Sequence, residues 1–147
     1  MKIAAIIGSS PERFAPYIDL YRRAADQLGT AAHPVGMHSP GFIADTDEEA
    51  KALYYPTYKV MRDRIGALRG WPPLRRADFD SETAHGSLYI SSPETVARKI
   101  APFGQCPRRG PVRPHLRPRN QPVTARMRAV ELFGSRVMPM VRDILAG

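Results

Sequence analysis

The chain has 147 residues, of which 43% are hydrophobic and 24% charged. That balance fits one globular domain with one core and excludes a disordered or fibrous polymer. The single cysteine, Cys106, excludes an internal disulfide, and His33, His38, His85 and His115 show no spacing suited to zinc or iron, so no metal site is expected. The net charge of +8 is concentrated in one place: Ala101 to Val130 holds seven arginines and no acidic residue, which leaves fifteen basic against fourteen acidic residues elsewhere. Ile3 to Ile7 is too short for the core of a signal peptide, and no window is long enough to span a bilayer. A soluble, cytoplasmic chain is the expectation.

In chain order, Ile3 to Ile7 is a continuous apolar run, the pattern of a parallel strand buried on both faces. Gly8 to Glu12 then turns into a helix, with Ser10 as N-cap and Pro11 at the first helical position. Phe14, Ile18, Tyr21, Ala25 and Leu28 give that helix one apolar stripe, and Gly29 ends it. Val35 to Ile43 is a second strand, expected to break at Pro40-Gly41. Thr46 and Glu49 form a capping box for a long helix with an acidic first turn. Its predicted inner face is Ala50, Leu53, Tyr54, Met61, Ile65 and Leu68, with a kink at Pro56 and an end at Gly70.

A short helix is expected around Ala77 to Ser81, then a brief strand over Ser87 to Ser91 and a helix opening at Ser92-Pro93 and containing Val96, Ala97 and Ile100. Ser-Ser-Pro-Glu thus occurs twice, at Ser9 to Glu12 and Ser91 to Glu94, each time between a strand and a helix. From Pro102 to Pro122 six prolines forbid a continuous helix or a central strand. The last helix, roughly Thr124 to Leu145, aligns Met127, Val130, Phe133, Val137, Val141 and Ile144.

Alternating strand and helix means an α/β fold with a parallel sheet, since parallel neighbours need a crossover. Three units and a terminal helix fall short of the eight that close a barrel, and open strand edges leave backbone groups unpaired. The expected organisation is residues 1–101 as βα units, 102–123 as an irregular Arg/Pro-rich segment and 124–147 as the helix completing the same domain. The Ser-Ser-Pro-Glu turns read either as anion sites at helix N-termini or as ordinary capping by Ser10 and Ser92, and capping is the commoner chemistry. His38 reads either as a proton donor or shuttle on a strand running toward the catalytic face, or as a histidine bonded to backbone. Trp71 reads as packing beneath the Pro72-Pro73 turn or as a lid, and Cys106 has no evident catalytic partner.

Four segments carry a family resemblance: "IIGSSPERFAPYIDLYRRA" (Ile6 to Ala24), "VGMHSPGFIADTDEEA" (Val35 to Ala50), "RIGALRGWPP" (Arg64 to Pro73) and "SLYISSPETVARKI" (Ser87 to Ile100). With the closing "MRAVELFGSRVMPMVRDIL" (Met127 to Leu145), they resemble the C-terminal half of a bacterial luciferase-like flavin-dependent monooxygenase. The resemblance implies a partial TIM barrel in which the Arg/Pro-rich segment replaces the last strand. It also implies reduced FMN, or in some branches a deazaflavin coenzyme, acting with O2 on a small organic substrate. His38 would then make a polar contact at the reacting end, and Gly8, Ser9, Ser10, Ser91 and Ser92 would lie near the cofactor. The family's flavin-phosphate segment would precede Met1, so an impaired or inactive fragment is expected, needing a homo-oligomer or partner chain to cover its edges. The segment from Gly104 to Val123 has the composition of a GC-rich gene read out of frame. The alternative function is a non-catalytic protein whose basic segment contacts an acidic partner or nucleic acid.

Overall fold

The computed structural model describes residues 15–33, 35–104, 109–115 and 121–146. The strand expected over Ile3 to Ile7, the turn containing Gly8, Ser9 and Ser10, and Cys106 lie outside the described residues. Six helices and three strands follow in the order α1 (Ala15–Gln27), β1 (Val35–Ile43), α2 (Asp47–Arg69), α3 (Arg76–Ala84), β2 (Tyr89–Ser91), α4 (Pro93–Gly104), β3 (Arg109–His115), α5 (Val123–Leu132) and, after a π-helical turn over Phe133–Val137, α6 (Met138–Ala146). The strands form one parallel sheet in the order β2-β1-β3. Among the described residues no helix is long and apolar enough to cross a membrane.

Two expectations for the strands are corrected. β1 does not break at Pro40-Gly41 but runs through to Ile43. Pro40 pairs in register with His115 of β3, and Gly41 pairs with Tyr89 of β2 on the other side. The proline, which has no N–H to give, therefore stands where one ladder ends and the other begins.

The second correction concerns the Arg/Pro-rich segment, which is not irregular throughout: α4 extends through Pro102 to Gly104, and Arg109–His115 forms β3. Prolines are tolerated on edge strands and at bulges, and β3 has both features. It lies at one end of the described sheet, and its register against β1 slips between Val35 and Met37. Strands laid down as in a barrel would put β3 beside β2; here it flanks the opposite side of β1.

The core is built where β1, β2, α2, α3 and α4 meet. Phe42, Ile43, Ala50, Tyr54, Phe79, Leu88, Tyr89, Ile90, Val96, Ala97 and Ile100 are buried there, joined by Ala129, Leu132 and Val137 from the C-terminal helices. An aromatic chain knits it together: Phe42 lies 5.8 Å from Tyr54, Tyr54 5.8 Å from Tyr58, and Phe79 meets Tyr58 at 5.8 Å and Tyr55 at 5.0 Å. Offset and edge-on rings at such separations add about 0.5–1.5 kcal/mol per pair beyond area burial. Burial pushes the Tyr54 hydroxyl up to about 12, so its ring serves the core as a neutral group.

Helix α2 starts at the Thr46 cap that its sequence predicts. Thr46 has an extended backbone and its hydroxyl accepts the Glu49 N–H at 3.1 Å. It ends at Gly70, whose φ of 68° is the left-handed cap that glycine adopts without strain. Ala50, Leu53 and Tyr54 do face the core, but Met61, Ile65 and Leu68 stay exposed. At 23 residues the helix is about 34 Å long and outruns a sheet whose β2 has only three residues.

The C-terminal helix keeps its predicted face only in part: Val137, Phe133 and Val141 meet the core, and the residues before them do not follow the prediction. Ala129, Leu132 and Val137 are buried, whereas Met127 and Val130 are exposed. Pro139 within α6 cannot donate to the helical ladder and crowds the carbonyl four residues back. The π-helical turn over Phe133–Val137 absorbs that conflict, and its extra residue rotates the apolar stripe.

Candidate functional site

Parallel α/β folds build their sites at the carboxyl ends of the strands. In this chain that rim is the loop Ala44 to Thr46 after β1 with the first turn of α2, and Ser92 after β2 with the first turn of α4. Asp47, the first residue of α2, reaches across to α4. Its Oδ1 accepts the Ser92 backbone N–H at 2.7 Å, and its Oδ2 accepts the Thr95 hydroxyl at 3.1 Å. The Ser92 hydroxyl donates to Thr95 Oγ1 at 3.2 Å, so the polar hydrogens of this turn run toward one carboxylate.

Burial works against charge on Asp47, but the hydrogen bonds from Ser92 and Thr95, with Lys51 on the same helix, outweigh it and hold its pKa below 3.8. The same carboxylate stands at the positive ends of two helices. It is ionised at neutral pH.

Two arginines of the C-terminal helices grip the same rim. Arg128 donates to both oxygens of Asp45, at 3.3 Å from Nε and 2.6 Å from Nη2, and lies 3.1 Å from Glu131. Arg136 pairs with Glu94 in the first turn of α4. The hydrogen bond from Arg128 lowers the Asp45 pKa, and those from Asp45 and Glu131 raise that of Arg128. All four side chains of the Arg128–Asp45 and Arg136–Glu94 pairs are 40–49% exposed, so solvent screens both pairs and they serve mainly to fix orientation.

The sequence-derived candidates fall in different places. Ser91 is buried, in register with Ile43, and its hydroxyl donates to the Ile90 carbonyl at 2.5 Å. Ser92 is the N-cap of α4: its carbonyl accepts the Val96 N–H at 3.0 Å and Pro93 opens the helix. Both serines lie at the rim. His38 is half-buried and is the fourth residue of β1, five residues or about 16 Å of strand before its carboxyl end. Strand alternation puts it on the face of Phe42, which packs against Tyr54 of α2. The structure does not bring His38 to Ser91 and Ser92.

Trp71 is 43% exposed and stands beyond the far end of α2, where Arg62 and Arg69 stack over its ring at 4.9 and 5.1 Å. The residues that organise the rim, Asp45, Asp47, Glu94, Thr95, Arg128 and Arg136, were not among the sequence candidates. The signal available was two aspartates directly after a strand and a threonine three residues after the capping serine.

Among the described residues no group of histidine, cysteine or carboxylate side chains could hold a metal ion. An open groove of about 310 Å3 lies on the outer surface between α4 and α6, lined by Glu94, Ala97, Arg98, Met140, Asp143 and Ile144.

No family model and no curated protein matches the chain. Solved structures do share its fold. The monooxygenase RslO1 from Streptomyces bottropensis is 18% identical with a TM-score of 0.69, covering 92% of this chain and 40% of its own. The oxygenating constituent of 3,6-diketocamphane monooxygenase from the CAM plasmid of Pseudomonas putida is a type II Baeyer-Villiger monooxygenase, and its structure is a complex with FMN. It is 20% identical with a TM-score of 0.62, covering 92% of this chain and 42% of its own. At such identities the likeness is one of fold. The chain spans about two fifths of the length of either neighbour.

Proposed function

We propose that this chain is part of a flavin-dependent monooxygenase, supplying some of the strand-helix units and one wall of a site completed by further units from another chain or copy. The observation that supports it is the fold match: 92% of the chain superposes on two monooxygenases, one of them bound to FMN, while covering only 40–42% of their length. The complete assembly would use reduced FMN and O2 on a small organic substrate, the flavin carrying the redox chemistry and the protein orienting it and excluding water. The wall is the rim from Asp45 to Asp47 and from Ser91 to Thr95, and His38 is a residue of the same strand whose contribution the binding assay below can read. Exposed Tyr17 and Leu20 on α1, Leu28 just beyond its end, and Met61 and Leu68 on α2 are apolar surface for a completing partner to cover.

The described residues of this chain do not fit the phosphate of FMN. The Ser92 N–H is taken by Asp47, and Arg128 and Arg136 are engaged by carboxylates, so these three donors at the rim are already committed. No reaction step is therefore drawn through the flavin in this chain alone.

The test is flavin titration with and without completion. The purified chain should give no saturable quenching of FMN fluorescence below about 100 µM. Mixed with the portion of the diketocamphane enzyme that this chain does not cover, it should co-elute and retain FMN that neither part retains alone. Micromolar FMN binding by the isolated chain would contradict the need for completion. A co-eluting pair that retains no flavin would overturn the functional reading. If His38 contributes, His38→Ala weakens retention in the mixture; unchanged retention removes it from the site.

A further inference from the structure

We infer that Asp47 is the resident anion of the rim: its carboxylate fills the N-terminal end of α4 and so excludes phosphate from the Ser91–Glu94 turn. The phosphate of a bound flavin would then have to be held by the completing units. Only this bearing on flavin rests on the functional reading above; the exclusion itself stands on the geometry.

A helix N-terminus attracts anions because its first N–H groups lack intrahelical partners and the dipole is positive there. At α4 Pro93 has no N–H, the Ser92 N–H is bonded to Asp47 at 2.7 Å, and the Thr95 N–H points at Ser92 Oγ at 3.5 Å. The Thr95 hydroxyl, a further donor that a phosphate could use, is bonded to Asp47 at 3.1 Å.

An incoming phosphate would have to displace a carboxylate tethered by its own helix, against the repulsion of Asp47, Asp45 and Glu94. The arginines that would offset that repulsion are committed, Arg128 to Asp45 and Glu131 and Arg136 to Glu94, while Lys51 lies near Asp47 itself. Tethering makes the internal ligand effectively far more concentrated than any free one. The result is a link across 45 residues of sequence between two strand-helix units. It turns what the sequence offers as a binding turn into a structural one.

The amide resonances of Ser92 and Thr95 in the full chain read this directly, with inorganic phosphate as the probe. In the native chain they should not move as phosphate is raised to tens of millimolar; a saturable shift would overturn the inference. In Asp47→Ala the same titration should produce a saturable shift at Ser92, and a folded Asp47→Ala chain that shows none also overturns it.

Should that variant fail to fold, the native chain still decides through pH. The charged groups around Asp47 are Lys51 on α2, and Asp45 with Arg128 and Glu94 with Arg136 along the rim. The Ser92 amide must follow the protonation of Asp47 below the usual carboxylate range; an amide shift that stays flat while Asp47 titrates refutes the bond. Inorganic phosphate involves no flavin, so failure here leaves the fold-based reading to stand or fall on FMN retention.

Discussion

The two halves of α2 carry apolar residues at the same helical spacing and meet opposite fates. In the first half Ala50 and Tyr54 are buried, and Leu53 and Tyr58 pack against the core. In the second half Val60, Met61 and Leu68 are 71%, 47% and 86% exposed. The first half lies over β1 and β2 and has rings to meet. The second extends past the sheet and is held by polar ties instead: Asp63 accepts the Leu74 N–H at 2.6 Å and Lys59 at 2.6 Å, Lys59 donates to the Leu74 carbonyl at 2.8 Å, and Arg62 donates to the Pro72 carbonyl at 2.8 Å. Amphipathic spacing therefore announces which face seeks burial; a packed partner decides whether burial happens.

The largest effect should come from breaking the packed half. Phe79 is fully buried and its ring contacts Tyr55 and Tyr58 of α2. Phe79→Ala should lower stability by about 3–5 kcal/mol, read as a shift in the urea midpoint, because it removes the partner of two rings and leaves a cavity. A loss below about 1 kcal/mol would show that the aromatic chain is not the anchor of α2.

A smaller effect is expected at the end of the tethered half. Gly70→Ala puts a Cβ on a residue at φ 68°, where L side chains are strained, and should cost about 1 kcal/mol in the same assay. Space is not the reason, since nothing lies within 4 Å of that Cβ.

Acid should loosen the tethered half selectively. The Leu74 N–H and Lys59 hold the Asp63 pKa below 3.8. A carboxylate with a depressed folded pKa contributes stability that is present above the unfolded value and lost as pH falls through the folded one. Protection of the Leu74 amide against exchange should therefore be flat from neutral pH to about 4 and fall below it. Equal loss at the buried Ile90 amide over the same range would show global unfolding rather than release of one tie.

Much of the described fold could be read from the sequence, and the misses share a cause. The Thr46 cap, the Gly70 stop, the Ser92-Pro93 helix start and the helix containing Val96, Ala97 and Ile100 follow from local chemistry and are present. Met61, Ile65 and Leu68 were misplaced because burial depends on how far the sheet extends, which periodicity does not encode. The face of the C-terminal helix was read correctly at Phe133, Val137 and Val141 and misplaced before them, at Met127 and Val130, because the π-turn over Phe133–Val137 shifts the phase between the two parts. β3 was missed because proline counts as a strand breaker unless the strand lies at an edge. At the rim the sequence pointed to the serines, but partners 42 to 83 residues apart, such as Glu94 with Arg136, Asp47 with Ser92 and Asp45 with Arg128, become neighbours only through the topology.

The smallest expected effect is also the one that discriminates most. Leu68 is 86% exposed, so Leu68→Ser removes little buried area and should change the stability of the isolated chain by less than about 0.5 kcal/mol. Combined with Met61→Ser it deletes the apolar stripe of the tethered half and leaves Asp63, Lys59 and Arg62 in place. If that stripe is surface for completing units, the double variant should keep its urea midpoint and lose co-elution with the complementary part of the diketocamphane enzyme. A variant that melts earlier instead would mean the second half of α2 is already packed within the chain. The two halves of the helix would then differ in degree rather than in kind.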